Sequence, residues 1–214
     1  MGPNESFDLT GPAGRLEALL MQPAGEAVAA AVVCHAHPLH GGMMHFKAVF
    51  RAAKALQEQG LAVLRFNFRG VGLSEGVHDV AKGEQGDASV ALDERQRRFP
   101  GRPLVLGGFS FGAAVALLVG ARQPRVRALV ALGFPFRMVP DTAFLAELVT
   151  PRLFVQGEND EFGGAGPIRA LFDPLPQPKK LVVVPGSDHF FTGHLDDLQN
   201  AIAAWAAERP WEVA

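Results

Sequence analysis

Short apolar runs alternate with stretches of helical periodicity along most of the chain. Most of these runs are continuous and rich in Val, Leu and Ala, as is typical of parallel strands covered on both faces. Six of them lie at 28–34, 61–66, 103–107, 128–133, 152–156 and 181–184. A turn at 11–14 and the segment 15–22 predict an additional antiparallel edge strand. The pattern predicts an α/β fold with a mostly parallel central sheet flanked by helices.

Three of the segments outside these runs predict helices. Apolar residues recur at helical spacing over 46–56, and Gly60 then provides a stop. Residues 113–119 are apolar on every side, which predicts a helix buried against the sheet. An apolar stripe over 195–205 predicts the last helix. Because the sequence contains no repeat, linker or low-complexity tract, we predict a single domain over residues 1–214.

Composition and charge exclude several classes of protein. Twenty basic and 22 acidic residues give a net charge of −2, which argues against a nucleic-acid partner. We expect the small cluster of Arg95, Arg97 and Arg98 to be a solvated helix face. The longest apolar run, 27–34, is too short to span a bilayer, and the N-terminus lacks the features of a secretory signal. The single Cys34 excludes an internal disulfide and suits a reducing compartment, so we predict a cytoplasmic protein without a membrane partner. The oligomeric state stays open.

The pattern Gly-x-Ser-x-Gly lies at 108–112, between the third run and the predicted buried helix. A serine on a sharp turn from strand to helix has strained backbone angles and close neighbours two residues away on either side. The glycines Gly108 and Gly112 remove the Cβ atoms that would collide there. Because the turn also places the hydroxyl at the N-terminus of a helix, where negative charge is favoured, Ser110 is the predicted nucleophile.

A serine hydroxyl needs a base to accept its proton, and that base needs an acid to orient it. When the nucleophile sits on such a turn, the acid and then the base follow in loops after later strands. Asp160 comes just after the fifth run and is the predicted acid, with Glu158 and Glu161 as alternatives. His189 comes just after the sixth run and is the predicted base, with His194 as the alternative.

The first parallel run is followed by the sequence CHAHPLHGG at 34–42. A loop at this position can supply one backbone N–H to a developing oxyanion, and the residue after the nucleophile supplies another. Because Pro38 has no N–H, Leu39 and Phe111 are the predicted donors of the oxyanion hole.

The same loop is open to two other interpretations. His35, His37, His40 and His45 are close in sequence, and imidazole is a common zinc ligand. No carboxylate is interleaved with them, which favours packing roles for His35 and His45 over a metal site. The glycine-rich segment 69–76 lacks the full pattern of a dinucleotide-binding loop. We therefore predict neither a metal nor a cofactor.

Five motifs together carry a family resemblance: CHAHPLHGG, RFNFRGVGLSEG, GGFSFG, GENDEF and GSDHFF. They resemble the α/β-hydrolase superfamily, and in particular compact bacterial serine hydrolases related to dienelactone hydrolases. The resemblance covers nearly the whole chain and implies Ser110 as nucleophile, Asp160 as acid and His189 as base. It also implies that the loop after His37 forms part of the oxyanion hole. Such relatives often read His-Pro-His-Pro where Ala36 replaces the first Pro here. Dienelactone hydrolases use Cys at the nucleophile position, so a serine there favours ordinary ester chemistry.

The resulting prediction is a serine esterase of the α/β-hydrolase fold with minimal or no cap, acting on small-molecule esters. Only residues 134–150 separate the fourth and fifth runs, which leaves little room for a cap and favours short or medium acyl groups. The predicted substrate-binding residues are His37, His40, Met43, Phe136, Met138, Phe162 and Phe190. A thioesterase, peptidase or lactonase would fit the same residues. The alternative from another class is a non-catalytic protein of this fold that binds a ligand or partner.

Overall fold

The structure is a computed structural model that describes residues 2–212. Over that range eight strands form one sheet, and five α-helices flank it. The strands are β1 (Asn4–Gly11), β2 (Gly14–Met21), β3 (Ala29–Cys34), β4 (Leu61–Phe66), β5 (Leu104–Phe109), β6 (Val126–Leu132), β7 (Arg152–Gly157) and β8 (Lys179–Val184). The helices are α1 (Lys47–Glu58), α2 (Lys82–Arg98), α3 (Phe111–Gly120), α4 (Ala165–Phe172) and α5 (Leu195–Ala207). Short 3-10 helices lie at Pro38–His40, Phe136–Met138, Ala143–Glu147 and Pro210–Glu212.

The strand order in the sheet is β1-β2-β4-β3-β5-β6-β7-β8. The strands from β4 to β8 in this order pair in parallel, whereas β2 is antiparallel to both β1 and β4. The six predicted runs are the six strands of the parallel part, so the predicted α/β fold is confirmed. Parallel strands β3, β5, β6, β7 and β8 direct their carboxyl ends to one edge of the sheet, where ligands bind in open α/β folds.

The helices cover both faces of the sheet, which explains why the central strands are apolar throughout. One core cluster lies under α1 and α5, and the other lies under α2, α3 and α4. All six residues of β3 and all six of β5 are buried. Every described helix is too short or too polar to cross a membrane.

The identity of the edge strand in the amino-terminal part differs from the prediction. The edge strand is β1 rather than the segment 15–22, because β2 lies between β1 and β4. The sequence NESFDLTG of β1 is mostly polar, and Leu9 is its one buried residue, so it carries no apolar run.

Helix α2 is the second element without a clear apolar signal. Its sequence is rich in charged residues, and its buried face includes Glu84, Asp87 and Arg95 as well as apolar side chains. The expected solvated face is therefore wrong for Arg95, which is fully buried. Arg97 is exposed as expected and forms an ion pair with Glu94.

Candidate active site

The turn between β5 and α3 holds Ser110 in a conformation that a non-glycine residue seldom adopts. Its φ is 55° and its ψ is −119°. A Cβ on Gly108 would collide with the backbone of Gly112, and a Cβ on Gly112 would collide with the carbonyl oxygens of Cys34 and His35. The turn is closed further by the N–H of Ser110, which donates to the carbonyl of Leu132 at 2.8 Å. Both glycines are therefore required by close backbone packing.

The three predicted residues Ser110, His189 and Asp160 form one hydrogen-bonded row. The Oγ of Ser110 lies 2.9 Å from Nε2 of His189. Nδ1 of the same imidazole lies 2.8 Å from Oδ2 of Asp160. Since a carboxylate only accepts hydrogen bonds, Nδ1 carries the proton and Nε2 is free to accept the serine proton. His189 and Asp160 are both buried, whereas the serine is partly exposed.

The alternative acids and base lie outside this row. His194 is directed toward Asp197, with 2.9 Å between Nδ1 and Oδ2. Glu158 accepts a hydrogen bond from the N–H of Gly186 at 2.8 Å, and Glu161 is exposed.

Gln156 orients the carboxylate of Asp160 and was missed by the sequence reasoning. Its Nε2 donates to Oδ2 of Asp160 at 2.6 Å, and its Oε1 accepts from the N–H of Phe134 at 2.9 Å. The N–H of Phe162 donates to the other carboxylate oxygen at 2.8 Å. The signal that could have pointed to Gln156 is its position as a polar residue at the end of the apolar run 152–156. The structure shows that Gln156 is buried there. Buried polar residues of this kind need hydrogen-bond partners.

A pocket of about 430 Å³ opens beside Ser110 and His189. Of the seven predicted substrate-binding residues, five line it: His37, His40, Met138, Phe162 and Phe190. Met43 does not line the pocket and is 45% exposed. Phe136 does not line it either, because its ring packs against the core on the side of Gly163.

Aliphatic residues that the sequence did not single out form another part of the pocket lining. Val80 and Ala81 come from the loop between β4 and α2, and Ala114 and Leu118 come from α3. The two α3 residues are four positions apart and so share one helix face. Val80 and Ala81 carry no comparable signal, because they lie in an irregular loop.

Leu39 is poorly placed to donate to an oxyanion. Its N–H already donates to Nδ1 of His37 at 3.2 Å, its side chain is exposed, and the residue does not line the pocket. The loop instead presents Ala36 and His37 to the pocket. Phe111 lines the pocket and is the first residue of α3, where a backbone N–H has no acceptor within the helix.

The histidines after β3 differ in environment. His35 is buried, with Nδ1 2.7 Å from the carbonyl of Ala36 and Nε2 accepting from the N–H of Phe68 at 3.0 Å. Burial lowers the pKa of His35 to about 4, so the ring is neutral and holds the backbone in place. Burial also lowers the pKa of His37, as do the nearby His40 and His78. His45 is exposed, which argues against a packing role for its side chain.

None of these histidines joins a metal-binding arrangement. Over residues 2–212, no three His, Cys, Asp or Glu side chains are grouped so that they could hold a metal ion. The rings of His37 and His40 stack against each other, with their centroids 4.4 Å apart.

A match to a family model identifies the family to which this chain belongs. Residues 29–204 match the model of the alpha/beta hydrolase domain. The chain belongs to the α/β-hydrolase family. This hydrolase is also similar to a serine hydrolase homologue from Coxiella burnetii, with 36% identity and a TM-score of 0.89 over 95% of this chain and 98% of that one.

Two further proteins are similar to this chain over most of their length. A serine hydrolase without a lid from Xanthomonas campestris is 33% identical, with a TM-score of 0.88 over 100% of this hydrolase and 98% of that chain. An uncharacterized protein of Rickettsia prowazekii is 36% identical over 201 residues, which are 90% of this hydrolase and 84% of that protein.

Proposed function

We propose that this hydrolase is a carboxylic ester hydrolase that cleaves short or medium acyl esters through an acyl-enzyme intermediate. The hydrogen-bonded row of Ser110, His189 and Asp160, which opens onto a largely apolar pocket, carries the proposal. The roles assigned to the three residues are nucleophile, general base and orienting acid, in that order.

In the acylation step, Oγ of Ser110 attacks the ester carbonyl carbon while Nε2 of His189 accepts the hydroxyl proton. Asp160 keeps the imidazole in the Nδ1–H tautomer and stabilises the imidazolium that forms. The tetrahedral intermediate then collapses, the bond from carbon to the leaving oxygen breaks, and the imidazolium returns its proton to that oxygen. An alcohol departs, and the acyl group remains bound to Ser110.

Deacylation repeats the sequence with water in place of the serine hydroxyl. His189 accepts a proton from the water as its oxygen attacks the acyl carbon, and then protonates Oγ as the carboxylic acid leaves. The acyl-enzyme is thereby hydrolysed, and the starting form of the protein is restored.

The backbone N–H of Phe111 is the proposed first donor to the oxyanion. We assign the role of second donor to His37 rather than to Leu39, because His37 belongs to the same loop and lines the pocket. Two such donors aimed at the developing charge stabilise the transition state more than the ground state.

The volume of the pocket supports an acyl group of short or medium length. A volume of about 430 Å³ lies near the lower end of the range for small-molecule sites. The chain between β6 and β7 contributes Met138, Val139 and Pro140 to the pocket wall and contains only two short 3-10 helices.

The test combines labelling with hydrolysis. A fluorophosphonate probe should label the wild type and leave Ser110→Ala unlabelled. In a series of p-nitrophenyl esters from acetate to palmitate, kcat/KM should be highest for a short or medium chain and fall for palmitate. Wild-type protein that neither labels nor hydrolyses any ester would favour a binding protein. Activity abolished by chelators would instead favour a metal site among the histidines.

A further inference from the structure

The pocket wall contains two consecutive residues in the left-handed region. Val80 has φ 46° and Ala81 has φ 68°, and both line the pocket. A β-branched residue such as valine is a genuine outlier at positive φ. Ser110, the proposed nucleophile, also has a positive φ. Strained residues persist only where their surroundings hold them, and they concentrate at functional sites.

The buried carboxylate of Glu84 binds the residue that precedes the two strained ones, Asp79. Glu84 lies in the first turn of α2 and is fully buried. Its Oε1 accepts a hydrogen bond from the N–H of Asp79 at 2.9 Å. The same oxygen lies 2.8 Å from Nδ1 of His78, in a contact that lacks hydrogen-bond geometry and is an ion pair when His78 is protonated.

Two further hydrogen bonds join the segment to the first residues of α2. The carbonyl of Asp79 accepts from the N–H of Lys82 at 2.9 Å. The carbonyl of Ala81 accepts from Nε2 of Gln85 at 2.8 Å. Val80 is thus fixed between two anchored neighbours, although its own side chain is 77% exposed.

The surroundings of the segment indicate which part of a substrate it would contact. Val80 and Ala81 share the pocket with Ala114 and Leu118, and Ala81 packs against the core cluster that contains Ala114. All four side chains are aliphatic, so this part of the pocket suits a hydrocarbon chain rather than a polar leaving group.

We propose that Val80 and Ala81, which we call the Val80 wall, bound the acyl part of the pocket and set which acyl groups are accepted. Glu84 is the positioning residue that holds the wall through the N–H of Asp79. This inference rests on the proposed esterase function, because it assigns part of the pocket to the acyl group.

The first test compares two valines of equal exposure. Val77 is also 77% exposed but does not line the pocket, so Val77→Ala is the matched control for Val80→Ala. The measured quantity is the ratio of kcat/KM for p-nitrophenyl octanoate to that for p-nitrophenyl acetate. Val80→Ala should raise this ratio by about three- to tenfold, whereas Val77→Ala should leave it at the wild-type value. An unchanged ratio in Val80→Ala, or an equal change in both variants, overturns the inference.

The second test separates positioning from folding. Glu84→Ala removes the acceptor for the N–H of Asp79, whereas the amide oxygen of Glu84→Gln can still accept. We expect Glu84→Ala to raise KM for the butyrate ester by about tenfold, with kcat changed less than about threefold. Glu84→Gln should have a KM close to that of the wild type. If Glu84→Gln raises KM as much as Glu84→Ala, the assigned role is wrong. Should Glu84→Ala fail to fold, the valine pair still decides whether the wall selects acyl groups.

The outcomes also distinguish this inference from the function on which it rests. Wild-type protein that hydrolyses esters with a chain-length profile unaffected by Val80→Ala refutes the Val80 wall alone. Wild-type protein that neither labels with fluorophosphonate nor hydrolyses esters refutes the esterase and, with it, the wall.

Discussion

Two turns at the pocket hold non-glycine residues at positive φ, and they do so by different means. At the turn over 108–112, Ser110 is held by close backbone packing around two glycines. At the Val80 wall, Val80 and Ala81 are held by hydrogen bonds that Asp79 and Ala81 make, one of them to a buried carboxylate. The first turn depends on close backbone packing that a side chain at either glycine would disturb, whereas the second depends on hydrogen bonds, one of which needs the carboxylate of Glu84.

His35 connects the two turns. Its carbonyl oxygen faces the place where a Cβ of Gly112 would lie, and its Nε2 accepts from the N–H of Phe68 just after β4. The loop that begins there leads to the Val80 wall. His35 therefore contacts the nucleophile turn through its backbone carbonyl and the start of the loop that forms the wall through its ring.

The largest expected effect comes from replacing the strained serine itself. Ser110→Gly should lower kcat/KM for the preferred ester by about 10⁴-fold or more, as should Ser110→Ala. Because glycine tolerates a φ of 55°, Ser110→Gly should be more stable than Ser110→Ala by about 1 kcal/mol. Urea unfolding of both variants measures the difference. If Ser110→Ala is as stable as Ser110→Gly, the turn is not strained.

The next effect tests whether backbone packing fixes the nucleophile turn. Gly112→Ala should destabilise the protein by about 3 kcal/mol or more, because its Cβ would collide with the carbonyls of Cys34 and His35. Gly166→Ala is the control, since a Cβ at Gly166 in α4 meets open space. The control should stabilise the protein by about 0.5 kcal/mol. Thermal unfolding measures both, and equal effects would contradict the packing argument.

A smaller effect on the free energy of unfolding is expected from His35, which contacts both turns. The pKa of His35 is lowered to about 4 in the folded protein, whereas an unfolded histidine has a pKa of about 6.5. As the pH falls from 6.5 to 4, the unfolded chain binds more protons, so the free energy of unfolding decreases. The contribution of His35 to this decrease is at most about 3 kcal/mol.

His35→Gln is the variant that isolates this contribution. It should be less stable than the wild type at pH 7, because the N–H of Phe68 loses its imidazole acceptor. It should also lose stability less steeply between pH 6.5 and 4. Chemical denaturation at several pH values measures both slopes, and parallel curves would show that His35 does not titrate as described.

The smallest effect tests strain at the Val80 wall. Val80→Gly should be more stable than Val77→Gly by about 1 kcal/mol, because glycine relieves the positive φ at Val80, whereas Val77 has no such φ. Both variants should still label with fluorophosphonate, unlike Ser110→Gly. Equal stability of the two glycine variants would count against strain in the wall.

The parts of the site that the sequence predicted are those with local signals. Ser110 lies between glycines at the junction of a strand and a helix, and Asp160 and His189 follow the ends of apolar runs. Gln156 was missed because nothing in the run 152–156 shows that its side chain faces the acid. The sequence shows that Leu39 has a backbone N–H but not that a ring nitrogen of His37 accepts it, which is why Leu39 was predicted as a donor.

The sequence by itself determined the parallel sheet and the edge at which Ser110, Asp160 and His189 lie, because periodicity and glycine spacing depend on neighbours along the chain. Only the tertiary structure decided which side chains line the pocket, which N–H groups already have acceptors and how Val80 is held. Those features depend on contacts between segments that are distant in sequence, such as the wall between β4 and α2 and the hydrogen-bonded row of residues that follow β5, β7 and β8. No local pattern specifies such contacts, because each is made only when the whole sheet is assembled.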